Sequence, residues 1–222
     1  TALIPGGTKS IGEYAFASER GRTQFELDSE TNLSNLEKIG DYAFMNTSIS
    51  SFTLAENVKN VSSSGEISLG KYVFKNCTRL QQAYFTPSGD DVAISEGLFY
   101  GCSSLARIRF TSNIKKVGPY AFYNCSSLQF VSDWQNVETI EKEAFSGCIA
   151  LTNNGGDQRV LPKELVSLGE RAFYNCKSLE VANVPKGLAI IPKEAFSRCE
   201  KLVTISYDDN ADRPSIGENA FS

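Results

Sequence analysis

The side chains best suited to chemistry are six cysteines, Cys77, Cys102, Cys125, Cys148, Cys176 and Cys199. Thiolates act as nucleophiles or zinc ligands when a histidine or further thiols stand close by. The chain has no histidine, which excludes Ser-His-Asp and Cys-His catalysis and His-ligated zinc. The cysteines recur every 23 to 28 residues, too evenly for a compact four-thiolate site. Such spacing reads as one small buried side chain per repeat. Neighbouring thiols would stand about one strand spacing apart, roughly 5 Å. That is close enough for a bridge, but parallel side-chain directions oppose one, so free thiols are expected.

Other candidates for chemistry are weaker. Asp208, Asn210 and Asp212 match the first ligands of a calcium loop, but Arg213 replaces the required glycine and Asn219 the bidentate glutamate. No phosphate loop or dinucleotide fingerprint is present, and no cofactor or metal is expected. The net charge of -4 and pI near 5.1 argue against nucleic acid as a partner, which would call for a clustered basic face. No apolar run is long enough to span a membrane.

The elements that position these residues belong to a repeated unit. Nine copies align on Phe16, Phe44, Phe74, Phe99, Phe122, Phe145, Phe173, Phe196 and Phe221, spaced by 23 to 30 residues, a period in the solenoid range. Five residues before each Phe stands an aliphatic residue, from Ile11 to Ile216. Three after it stand the cysteines, and six after it, in the same copies, Leu80, Leu105, Leu128, Leu151, Leu179 and Leu202.

The segment from aliphatic residue to Phe predicts one or two helical turns. Glycines such as Gly12 and Gly40 suit an N-cap, acidic residues such as Glu13 and Asp41 suit the helix dipole, and Asn46, Asn76 or Gly101 suits a left-handed terminator. After the Leu, apolar and polar residues alternate as in a strand, for example Ala106-Arg107-Ile108-Arg109-Phe110. Stacked copies would make a parallel sheet, and a second apolar pair on the return path, such as Ile114 and Val117, would point inward. Residues 60–68, 88–91 and 153–158 break the period and read as loops.

This pattern, Ile-Gly-x-x-Ala-Phe-x-x-Cys-x-x-Leu-x-x-apolar-x-apolar, resembles the leucine-rich repeats of the BspA-like family of bacterial cell-surface proteins. The resemblance covers nearly the whole chain. It implies an α/β repeat solenoid, a right-handed leucine-rich-repeat array with a parallel β-sheet on one face and short helical turns opposite. On this reading residues 1–222 form one solenoid of about nine repeats, a fragment or mature part of a longer chain. The resemblance also implies a non-enzymatic adhesin or binding module, on a cell surface or secreted, whose partner is a protein or glycan. A structural spacer that presents another domain is the alternative.

Recognition would fall to side chains facing outward from the strands. Tyr84, Arg107, Arg109 and Phe130 occupy three consecutive copies, with Trp134, the only tryptophan, close by. Aromatic residues and arginine are the types enriched at binding hot spots. Asp133 stands where the pattern wants an apolar residue, and a bulge there would turn Trp134 inward.

Overall fold

The computed structural model describes residues 4–19, 35–54, 69–85, 92–152, 160–208 and 213–222. The three period-breaking stretches lie outside these residues, as do Asn210 and Asp212.

Alternating apolar residues form short strands because each can bury one face only. In chain order these are β1 (Ser10–Ile11), β2 (Lys38–Ile39), β3 (Ser51–Leu54), β4 (Gln82–Phe85), β5 (Val92–Ile94), β6 (Arg107–Arg109), β7 (Ile114–Val117), β8 (Phe130–Ser132), β9 (Thr139–Ile140), β10 (Ser167–Leu168), β11 (Val181–Val184), β12 (Ile190–Ile191), β13 (Thr204–Tyr207) and β14 (Ser215–Ile216). Every pairing among them is parallel and joins one coil to the next.

Two strand faces result. One carries β3, β4, β6 and β8 in that order, and β11 with β13. The other carries β5, β7, β9 and β10, together with the pairs β1–β2 and β12–β14. The return path is therefore itself a sheet strand. Its inward residues, Ile39, Ile94, Val117, Ile140 and Ile191, are fully buried.

The third side of each coil corrects the expectation of short helical turns. Among the described residues there is no helix, and the fold is a parallel β-solenoid of stacked coils. Two residues before the Phe the backbone is left-handed in all nine copies, as at Tyr14 (φ 53°), Tyr120 (φ 57°) and Glu143 (φ 52°). It is left-handed again two residues after the Phe in seven, as at Asn124 (φ 55°) and Gly147 (φ 78°). A helix of L-residues cannot tolerate that reversal every four residues.

The hydrogen bonds show what replaces it. The N–H groups of Tyr120, Phe122 and Asn124 donate to Lys142, Ala144 and Ser146 of the next coil at 2.8 to 3.0 Å. The intervening N–H groups of Ala121, Tyr123 and Cys125 close tight turns on Gly118, Tyr120 and Phe122. Every second donor therefore serves the stack, whereas a helix would use them all internally. Asp41 likewise caps no helix: its Oδ1 accepts the Lys71 N–H of the following coil at 2.8 Å. Gly118 is required by close approach, because a Cβ there would lie 2.7 Å from the Ile94 carbonyl oxygen.

The core is a set of ladders. All nine phenylalanine rings stack in sequence with centroids 5.0 to 5.5 Å apart. The seven from Phe44 to Phe196 are buried. Beside them the six cysteines are free and buried. Each Sγ donates to the Phe carbonyl of the preceding coil, as Cys125 does to Phe99 at 3.1 Å and Cys148 to Phe122 at 3.2 Å. Thr47 takes the cysteine position of the second copy, donates to the Phe44 carbonyl and touches Cys77 Sγ at 3.3 Å.

Candidate functional site

The registers of β3, β4, β6 and β8 align residues into columns. Phe52, Ala83, Ile108 and Val131 form the inward column and are buried. Alternation then sends two columns outward. One holds Gln82, Arg107 and Phe130; the other holds Tyr84, Arg109 and Ser132. Four of the five residues singled out from the sequence thus share one surface on three adjacent strands.

Their contacts are specific. The Arg107 guanidinium lies over the Phe130 ring at 5.4 Å from its centroid, a cation–π contact that fixes a long side chain. Arg109 Nε donates to Asp133 Oδ2 at 2.6 Å. Tyr84 is 51% exposed, and its hydroxyl donates to Gln82 Oε1 at 3.1 Å. Two open grooves meet at Tyr84 and Arg109. The first, of about 670 Å³, runs over Gln82, Arg107, Gln129 and Phe130; the second, of about 650 Å³, runs over Thr111, Asp133 and Asn136.

The fifth residue is placed elsewhere. Trp134 is 3% exposed and sets its indole edge-on to Phe145, with centroids 5.6 Å apart. Asp133 has a φ of 59°, and that reversal puts the carboxylate outside, on Arg109, and the indole inside. Trp134 is therefore a core residue and no part of the exposed surface.

Sequence reasoning missed a second aromatic array, on the turn side. The rings of Tyr14, Tyr42 and Tyr72 stack at 4.9 and 5.3 Å. The row then passes over Gly97 to Tyr100, 6.0 Å from Tyr72, and on to Tyr123 at 4.7 Å. Lys75 Nζ caps the crossing, 5.2 and 5.1 Å from the two ring centroids. Burial and the neighbouring Glu96 carboxylate, which accepts the Tyr72 hydroxyl at 3.2 Å, push the Tyr72 phenol up to about 12. The recurrence of Tyr two residues before the Phe was legible in the sequence, but its placement depended on the left-handed turn.

The thiols are poor nucleophiles. Burial pushes Cys77 up to about 11 and Cys199 up to about 12, and drives the four between them well above the ordinary thiol range. A thiol so far from ionisation is inert. Among the described residues no three His, Cys, Asp or Glu side chains gather to hold a metal, and no helix is long and apolar enough to cross a membrane.

Residues 1–65, 62–160 and 157–222 match the BspA type leucine rich repeat region, six copies. No curated protein matches the sequence. Among solved structures, a leucine-rich repeat protein from Bacteroides ovatus is 24% identical over 99% of this chain, with a TM-score of 0.61. This chain covers 57% of that protein's length. The leucine rich repeat protein of T. pallidum is 23% identical, with a TM-score of 0.62 over 76% of this chain and 73% of its own. A leucine rich cell surface protein from Faecalibacterium prausnitzii is 19% identical, with a TM-score of 0.54 over 94% of this chain and 59% of its own. Identities this low speak for the fold alone, while the sequence match runs from end to end of the described stack; the chain belongs to the BspA type leucine-rich repeat family.

Proposed function

We propose that this chain is a recognition module without catalytic activity, which binds a protein or glycan partner at a cell surface or outside the cell through the face built from β4, β6 and β8. The observation that carries this reading is the convergence of Tyr84, Arg107, Arg109 and Phe130 on one exposed surface at the meeting of two grooves. A preformed face on a rigid stack loses little conformational entropy on association. The description of one structural relative as a cell surface protein supports the location.

The test is binding of the purified chain to a panel of matrix proteins, cell-surface glycans and itself, beside a variant with all four residues changed to alanine. All four sit on the strand face, so the variant should keep its fold, which circular dichroism checks. Loss of binding in a folded variant is the expected result. Retained binding moves recognition to another face, and no binding by either protein favours the spacer.

A further inference from the structure

The strand face has a spacing and a charge that select among ligands. Its side chains repeat along the stack with the period of the coils, which the phenylalanine ladder sets at 5.0 to 5.5 Å. An extended peptide places same-side residues roughly 6.6 Å apart, and so falls about half a period out of step with the coils within about four residues. An extended β-1,4-linked pyranose chain advances per ring by about the spacing of the coils, and stays in step. Ladder hydrogen bonds between β4, β6 and β8 occupy their backbone groups, so a ligand meets side chains only.

The charge is local. The chain carries a net charge of -4, yet this face sets two guanidiniums, Arg107 and Arg109, against one carboxylate, Asp133. Arg107 spends its ring-facing surface on Phe130, which leaves its in-plane N–H fork for an acceptor, and that fork matches a carboxylate. The flanking Gln82 and Gln129 offer amides, each both donor and acceptor, as sugar hydroxyls require.

We infer that the ligand of this face is an acidic polysaccharide, a uronate-bearing pyranose chain laid along the stack axis between the two outward columns, with one ring per coil. A carboxylate-bearing ring lies over β6 between Arg107 and Arg109; its neighbours lie over β4 against Gln82 and Tyr84, and over β8 against Phe130. This inference rests on the proposed use of the strand face and adds the chemistry of the ligand.

The experiment compares a β-1,4-linked mannuronate hexasaccharide with the neutral mannose hexasaccharide of the same linkage, a sulfated mannan and a poly-glutamate peptide. Affinities are measured by titration calorimetry for the parent, Arg107→Gln and Arg109→Gln. Both arginines are exposed, and an unchanged thermal transition confirms each variant's fold. The expected result is binding of the mannuronate at least about tenfold tighter than the other three, with about tenfold lost in each variant, as for hydrogen bonds to a charged group. Equal affinity for the neutral chain, preference for sulfate or peptide, or no binding of mannuronate overturns the inference. If the four-alanine variant has meanwhile lost some other partner from the panel, the strand face stands and only the uronate is wrong. If that variant keeps its partner, the face itself is wrong.

Discussion

Phe122 shows how the repeat works at the scale of one residue. Its ring lies between Phe99 and Phe145 at 5.4 and 5.0 Å and is fully buried. Phe122→Ala removes both stacks and leaves a hole that fixed neighbours cannot fill, so a loss of about 3 to 5 kcal/mol is expected, measured by urea unfolding. A loss below about 1 kcal/mol would place the ring outside the core. The cysteines give a prediction in pH. Their folded values lie above the unfolded value of 9.0, at about 11 for Cys77 and about 12 for Cys199. Above pH 9 the unfolded chain releases protons that the folded one keeps. Stability is therefore fully present below pH 9 and falls as pH rises toward 11 to 12, by about 1.4 kcal/mol per pH unit for each thiol. The urea midpoint should hold up to about pH 9 and drop steeply above it, toward about pH 11. At pH 8 all six thiols should react with a thiol reagent only after denaturation, without reductant; fewer than six would reveal bridges.

At the scale of the element, the strands were legible and the turns were not. Alternation in segments such as Arg107-Ile108-Arg109 has one reading, and the columns that bring Arg107 beside Phe130 follow from it. The turn segment carried the composition of a helix start, but composition does not record the sign of φ. Tyr14, Tyr42, Tyr72 and Tyr120 are left-handed without being glycine or asparagine, held there by hydrogen bonds to a neighbouring coil that a local reading cannot see. Asp133 is the opposite case: a polar residue in an apolar slot pointed to a bulge that turns Trp134 inward, and its left-handed backbone does so. Gly97 tests this account: its φ is 60°, and a Cβ would strike the Tyr72 ring. Gly97→Ala should cost about 1 to 3 kcal/mol. The cost should shrink when Tyr72→Ala is made as well, because the ring clash is gone while the backbone strain remains. A double-mutant cycle in urea measures both, and equal costs in the two backgrounds would contradict the contact.

At the scale of the whole molecule, long-range order is carried by neighbours alone. Ion pairs follow the rule too: Lys116 meets Glu141 at 3.0 Å and Arg171 meets Glu194 at 2.6 Å, each across one coil boundary. Pairs at the surface of the stack add little to stability, so the stack rests on its ladders. A nearest-neighbour stack tolerates loss of one full unit. Deleting residues 119–141 joins Gly118 to Lys142 in register and lets Phe99 meet Phe145. The shortened chain should fold, with far-UV circular dichroism like the parent's and a denaturant m-value lower by about a tenth. It should also lose the strand-face ligand, because β8 is gone. An unfolded product would show that the coils cooperate over more than one neighbour.

The burial of Trp134 gives the molecule an internal fluorophore. It is the only tryptophan, and it lies against Phe145, in the sixth of the nine stacked rings. Its emission reports the melting of that one neighbourhood, while far-UV ellipticity sums over every coil. If the two signals change at the same urea concentration, the stack melts as one body. If emission shifts later than ellipticity, the outer coils peel away first and the middle is the last to go.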